Sequence, residues 1–228
     1  KPFYNSVVST FCSQLVNGQN AFIDKDSSVN FIYVYDLIDQ IDGLVRSDKK
    51  YENLVNINSN VFIKVSDLLE KLKKIHNLYF KYNTLPNLDD DFDRNLFITY
   101  QSFIPDSFYP KTNIVNSDHR GEFSEVVRSN SKGQFSYSFT NPNIIRGNHF
   151  HTRKIERFSV IEGSAIVKTR KINTRTIKEY VLKKNDFIDI KPWHTHSIKN
   201  IEKNDLITLF WINEHYDLNN SDTYTEMV

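Results

Sequence analysis

Two short segments, far apart in the chain, restrict its fold more than anything else in it: Arg146-Gly147-Asn148-His149-Phe150-His151-Thr152-Arg153-Lys154-Ile155-Glu156 and Pro192-Trp193-His194-Thr195-His196. Alternate side chains of a strand share a face, so His149 and His151 in an extended segment present their imidazoles on one side. Glu156 has the opposite parity to His151, and a polar turn or bulge at Thr152-Arg153-Lys154 brings its carboxylate back towards the same point. His196, from a distant strand, closes a set of four ligands in a small β-barrel. An isolated His-x-His pair is equally well a pair of barrel-lining or surface histidines with no metal. Here four of the chain's seven histidines fall within the two segments, which favours a metal site. Three nitrogens and one carboxylate suit a borderline divalent ion; zinc, iron, manganese and nickel are all acceptable by ligand type, and the sequence alone does not choose among them.

The rest of the chain can build real cores. With 228 residues, 39% of them hydrophobic, there is room for one large or two modest domains. A net charge of +1 and no basic run give no electrostatic case for nucleic acid or an anionic membrane. No apolar stretch is long enough to span a bilayer, and no signal peptide is visible. The single cysteine, Cys12, excludes an intramolecular disulfide framework, fits a reducing cytoplasm and is expected to pack inside a helix bundle. The opening residues read as the middle of a fold, so a fragment of a longer protein is expected.

Organisation changes near Pro110. Before it, Ser6 to Val16 carries a helical apolar stripe that Gly18 can stop. Val29 to Tyr35 reads as a strand, followed by a helix capped by Asp36 and running to about Val45. Leu54 to Ile57 reads as a second strand, and Ser66 as the cap of a helix from Asp67 to about Leu78. A further helix is expected from near Asp89 to Phe103, with Asp89-Asp90-Asp91 favouring its N-terminus. After Asn113, short alternating runs such as Phe135 to Phe139, Phe158 to Ile161, Ala165 to Thr169, Glu179 to Leu182, Phe187 to Ile190 and Leu206 to Trp211 imply β-structure throughout. The expected fold class is α+β, an α/β segment at residues 1–109 preceding an all-β barrel at residues 110–228.

The β half resembles the cupins, jelly-roll barrels whose first motif is matched by His149, His151, Glu156 and Gly163, and whose second is matched by Asp186, His196 and Asn200, with Pro192 one place late. Asn185 and Trp193 stand where that family usually has glycine. Asn tolerates positive φ; Trp193 does not do so readily. The first half is similar to the tail of extended short-chain dehydrogenase/reductases acting on nucleotide sugars, through Phe31-Ile32-Tyr33-Val34-Tyr35-Asp36, Asn56-Ile57 and Val65-Ser66-Asp67-Leu68. Val29 replaces the arginine usual at that junction. No G-x-x-G-x-x-G phosphate turn follows a strand, so this half is expected to lack the dinucleotide-binding core, with NADPH belonging to a missing N-terminal part.

A reductase tail followed by a metal-binding cupin resembles one bifunctional family, the CapF-type capsular polysaccharide synthesis enzymes, UDP-2-acetamido-2,6-dideoxy-hexulose epimerase/reductases. Lys1-Pro2-Phe3-Tyr4, Leu85-Pro86-Asn87-Leu88, Thr208-Leu209-Phe210-Trp211 and Ser221-Asp222-Thr223-Tyr224 carry that likeness along almost the whole chain. It implies C3 epimerisation of a UDP-linked 4-keto sugar in the cupin, coupled in the full-length family to NADPH-dependent reduction, and a homodimer through the cupin. The metal-free deoxysugar 3,5-epimerases are also similar, through Asp118, Arg120, Gly121, Phe123 and Glu125 and through Arg146, Gly147 and His149; the histidine matching His149 is their base. Because His151 and Glu156 stand beside it, His149 reads here as a metal ligand. His194, sharing parity with His196, is the candidate catalytic base, and Arg120 and Arg146 are candidates for binding the diphosphate. The competing readings are a dioxygenase or sugar isomerase with the same ligands, and a sugar-nucleotide binding and dimerisation module with a structural metal.

Overall fold

The computed structural model describes residues 1–4, 6–48, 54–59 and 61–228. The chain forms two compact units, Lys1–Tyr109 and Pro110–Val228.

In the first unit, helix α1 (Val7–Val16) is capped by the Ser6 hydroxyl, which accepts from the Ser9 amide, and the chain turns at Gly18 with φ of 68°. Strand β1 (Ser28–Phe31) pairs antiparallel with β2 (Val61–Lys64), and helices α2 (Val34–Arg46), α3 (Val65–Ile75) and α4 (Asp91–Gln101) follow the apolar stripes. The α1 stripe is covered from within the unit: Phe11 and Cys12 are buried with Leu68, Leu69 and Leu72 of α3 and Leu96, Phe97 and Tyr100 of α4. Burial raises the Cys12 thiol to about 12, so it is an inert packing residue.

Three expectations need correction. The extended stretch ends at Phe31, and Val34 and Tyr35 already belong to α2, with Tyr33 at its cap position and Asp36, the expected cap, inside its first turn. Leu54 to Ile57 is not a strand; the pairing falls on Val61–Lys64, whose Val-Phe-Ile run is the better β-former. Ser66 does not cap α3. Lys64 holds the cap position, and the Asp26 carboxylate reaches in from 40 residues upstream, accepting from the Ser66 amide and hydroxyl, both at 3.0 Å. Helix α3 continues as a π-helical turn over His76–Lys81. Strand β3 (Thr84–Leu85) precedes α4, whose N-cap Asp90 accepts from the Asp93 amide. No helix among the described residues is long and apolar enough to cross a membrane.

The second unit is the cupin-type jelly roll: β4 (Val115–Asp118), β5 (Gly121–Ser129), β6 (Gln134–Thr140), β7 (Ile145–Phe150), β8 (Glu156–Glu162), β9 (Ser164–Lys171), β10 (Ile177–Lys183), β11 (Phe187–Ile190), β12 (His194–Asn200), β13 (Leu206–Ile212) and β14 (Tyr224–Thr225). One sheet runs β10-β9-β12-β7-β14; the other contains the run β11-β8-β13-β6-β5, with β4 on β5. Period-two burial points one face of each sheet inwards. Phe158, Val160, Ala165, Val167, Leu182, Ile190, Ile198 and Leu206 fill the interior, and the ligand segments lie at one end of that filling.

Candidate metal centre

The two histidine segments meet because β12 pairs with β7, setting His196 directly opposite His149. His151 lies one residue beyond β7. Thr152 to Ile155 then turn the chain, and Glu156 opens β8 in the facing sheet, so both sheets contribute to one cluster. Ligand atoms of His149, His151, Glu156 and His196 all lie within 4.8 Å of one another. His151, Glu156 and His196 are 4%, 6% and 1% exposed, too buried for solvent to complete their bonding.

Their unused atoms define what fits. Glu156 Oε2 is 3.3 Å from His151 Nε2 and 3.1 Å from His196 Nε2, yet none of these three buried atoms makes a hydrogen bond. Orphaned buried polar atoms are costly. A divalent cation among them satisfies all three at once, with donor types that suit it. The imidazole of His151 is already oriented for this: its Nδ1–H donates to the Asp222 carbonyl at 2.5 Å, leaving Nε2 with the lone pair. Burial, helped by the neighbouring His196, pushes His149 down to about 4, so it is a neutral donor at neutral pH. Burial also works against protonating His151, but Glu156 and the Asp222 carbonyl more than offset it and raise that group. The residues present therefore fit a metal ion.

Asp222 carried no functional expectation beyond its place in a short motif. Its buried carboxylate accepts from the amides of Thr152, Arg153 and Lys154 and from the Thr152 hydroxyl, fixing the turn that joins His151 to Glu156. Trp193 takes the conformation of the glycine it replaces, with φ of 62°, and Asn185 does the same at 74°. For tryptophan this costs roughly 1–2 kcal/mol. The geometry is held by the Trp193 amide donating to the His151 carbonyl at 2.7 Å and by ring stacking on Phe150.

His194 begins β12, half-buried, two residues before His196 on the same face. Its Nδ1 lies 3.0 Å from the Pro192 carbonyl, which can only accept, so Nδ1 carries the hydrogen and Nε2 is left basic. Arg120 and Arg146 are not brought beside the four ligands. Arg120 is tied to the Asp118 carboxylate at 2.6 Å. Arg146 donates to the Thr140 hydroxyl and the Phe139 carbonyl, and burial lowers its guanidinium. Thr140 ends β6 at the opposite end from Gln134, which is in register with Glu156 through Ile212. Asn200 is structural: its amide donates to the Thr140 and Asn204 carbonyls at 2.8 Å each.

Residues 116–224 match the family described as Polysaccharide biosynthesis C-terminal domain. The crystal structure of CapF with the inhibitor 3-isopropenyl-tropolone is 31% identical, covers 100% of this chain and 68% of its own, and superposes with a TM-score of 0.86. The chain belongs to the CapF family. A CapF crystal structure from Staphylococcus aureus gives 31% identity and a TM-score of 0.85, covering 100% of this chain and 63% of that one. A curated relative from Pseudomonas aeruginosa, named UDP-2-acetamido-2,6-beta-L-arabino-hexul-4-ose reductase, is 32% identical over 98% of this chain. The chain spans 61% of that relative's length. The CapF likeness read from the short motifs is thus the right one.

Gly147 shows how tightly this CapF family member holds β7 against β12. With φ of 96°, a Cβ there would sit 2.7 Å from the His196 carbonyl oxygen and 3.0 Å from Ser197 Cα, at a bulge in the pairing. Both neighbours are backbone and cannot swing aside. Gly147→Ala is expected to destabilise the second unit by about 3 kcal/mol, read as a lower urea midpoint, and to weaken divalent-metal binding in parallel.

Proposed function

We propose that the second unit catalyses C3 epimerisation of a UDP-linked 4-keto-6-deoxy-N-acetylhexosamine in the synthesis of capsular or O-antigen polysaccharide precursors. The observation that carries this reading is the buried His149, His151, Glu156 and His196 cluster with a basic imidazole nitrogen of His194 nearby. A C3 proton is removable only if the charge that develops on the C4 ketone oxygen is stabilised. A divalent ion held by those four residues, zinc by preference, would supply the Lewis acid. His194 takes the C3 proton on Nε2, with its ring held by the Pro192 carbonyl, and a proton delivered from solvent to the other face inverts the centre.

The first unit is, on this reading, the C-terminal part of a nucleotide-sugar reductase domain without its dinucleotide-binding core. Two facts support this: the relatives are longer, and α2 buries none of its side chains, leaving Val34, Ile38, Ile41 and Val45 exposed. The test is proton exchange. The metal-loaded chain, given the 4-keto sugar nucleotide in heavy water, is expected to incorporate deuterium at C3, and His194→Ala to slow this roughly 100-fold or more. No exchange by the wild-type chain would sink the epimerase reading.

A further inference from the structure

The strands beside the cluster lead from it to a cavity of about 730 Å³ whose lining includes Thr169, Lys171, Lys178, Tyr180, Lys191 and His194. Residues directly opposite on paired strands share a face. His196 faces Thr169 across β12 and β9, and Thr169 faces Lys178 across β9 and β10, so a buried residue of the cluster and an exposed lysine lie in one row on the same face of the sheet. In the next row His194 faces Lys171. On the facing sheet Ile190 stands opposite Glu156, and Lys191 follows it. None of the three lysines makes an ion pair or side-chain hydrogen bond among the described residues. The carboxylates on the rim are otherwise engaged: Asp189 pairs with Arg157 at 2.6 Å, and Asp186 accepts from the Lys183 amide. By contrast, the hollow beside the Arg120 hairpin is lined by Asp118, Glu122 and Asp205 and by no lysine or arginine.

We infer that Lys171, Lys178 and Lys191 form the diphosphate subsite of the second unit, holding a nucleoside diphosphate so that the sugar it carries reaches the cluster. This rests on the epimerase reading for where the ketone lies. In a 4-keto pyranose the anomeric carbon, which bears the diphosphate, is across the ring from the ketone. With the ketone at the cluster, the phosphates must project about a ring's length along the same face. Two strand spacings set Lys178 about 10 Å from His196, which is that order of reach. Lysines suit phosphate oxygens as mobile point charges.

UDP alone is the probe, titrated calorimetrically into the full 228-residue chain. The wild type is expected to bind it saturably, and K171Q/K178Q/K191Q to bind at least tenfold more weakly with a flatter salt dependence. The variants Lys132→Gln and Lys203→Gln, which change charge elsewhere, are expected to bind as wild type does. Absence of saturable binding by the wild type, an unchanged affinity in the triple variant, or an equal loss in the control variants would each overturn the assignment. Deuterium exchange at C3 reads the chemistry separately. A chain that binds UDP through these lysines yet exchanges no proton retains the subsite and loses the epimerase reading.

Discussion

Replacing His196 by alanine is expected to lower divalent-metal affinity by about 100-fold or more. The side chain is 1% exposed, and its Nε2 is one of three orphaned atoms around Glu156. Without it the carboxylate stays buried with one imidazole fewer near it, and the remaining donors, His149, His151 and Glu156, make a weaker site. Competition against a chromophoric chelator measures this directly, with His119→Ala, an exposed histidine outside the cluster, as the control. His196→Gln keeps the volume and most of the packing, so a folded variant with lost affinity separates ligation from stability. Equal affinities for wild type and both variants would remove the metal assignment.

Asp222→Ala is expected to act on stability and metal together. The carboxylate accepts from three amides and one hydroxyl of the turn between His151 and Glu156, and its loss leaves those donors buried or half-buried without partners. At roughly 1 kcal/mol or more per stranded donor, the cost is about 4 kcal/mol in urea unfolding. Because the Asp222 carbonyl also orients His151, metal affinity should fall about tenfold as the turn relaxes. Burial opposes ionisation, but the Thr152 hydroxyl and the three amides hold the Asp222 carboxyl well below the usual carboxylate range. A depressed carboxyl gives stability that is present above its unfolded value and lost as the pH falls through the folded one. The acid limb of the stability curve should therefore flatten in Asp222→Asn. A variant as stable as wild type at neutral pH, with an unchanged acid limb, would refute the role given to this residue.

The four-residue cluster was legible in part from strand parity, which places His149 and His151 together and requires a turn before Glu156. The β half was legible for the same reason: alternation marks an inward face, and Phe187–Ile190 and Leu206–Ile212 form where the pattern puts them. The first unit yielded less. A four-residue strand with one neighbour leaves little alternation to read. Asp222 could not be assigned a role locally, since its partners in the turn lie 68 to 70 residues earlier. Nor could the path from His196 to Lys178, which exists only in the register of three strands.

The bond from His151 to the Asp222 carbonyl closes a loop of 71 residues. Contacts of such separation are made late, after shorter-range pairing has reduced the entropy of closure. The cluster can therefore be complete only once both sheets have formed and the segment around Asp222 has docked. Metal uptake by a refolding chain should follow the recovery of β-structure with a lag, and the bound ion would then slow unfolding more than it speeds folding.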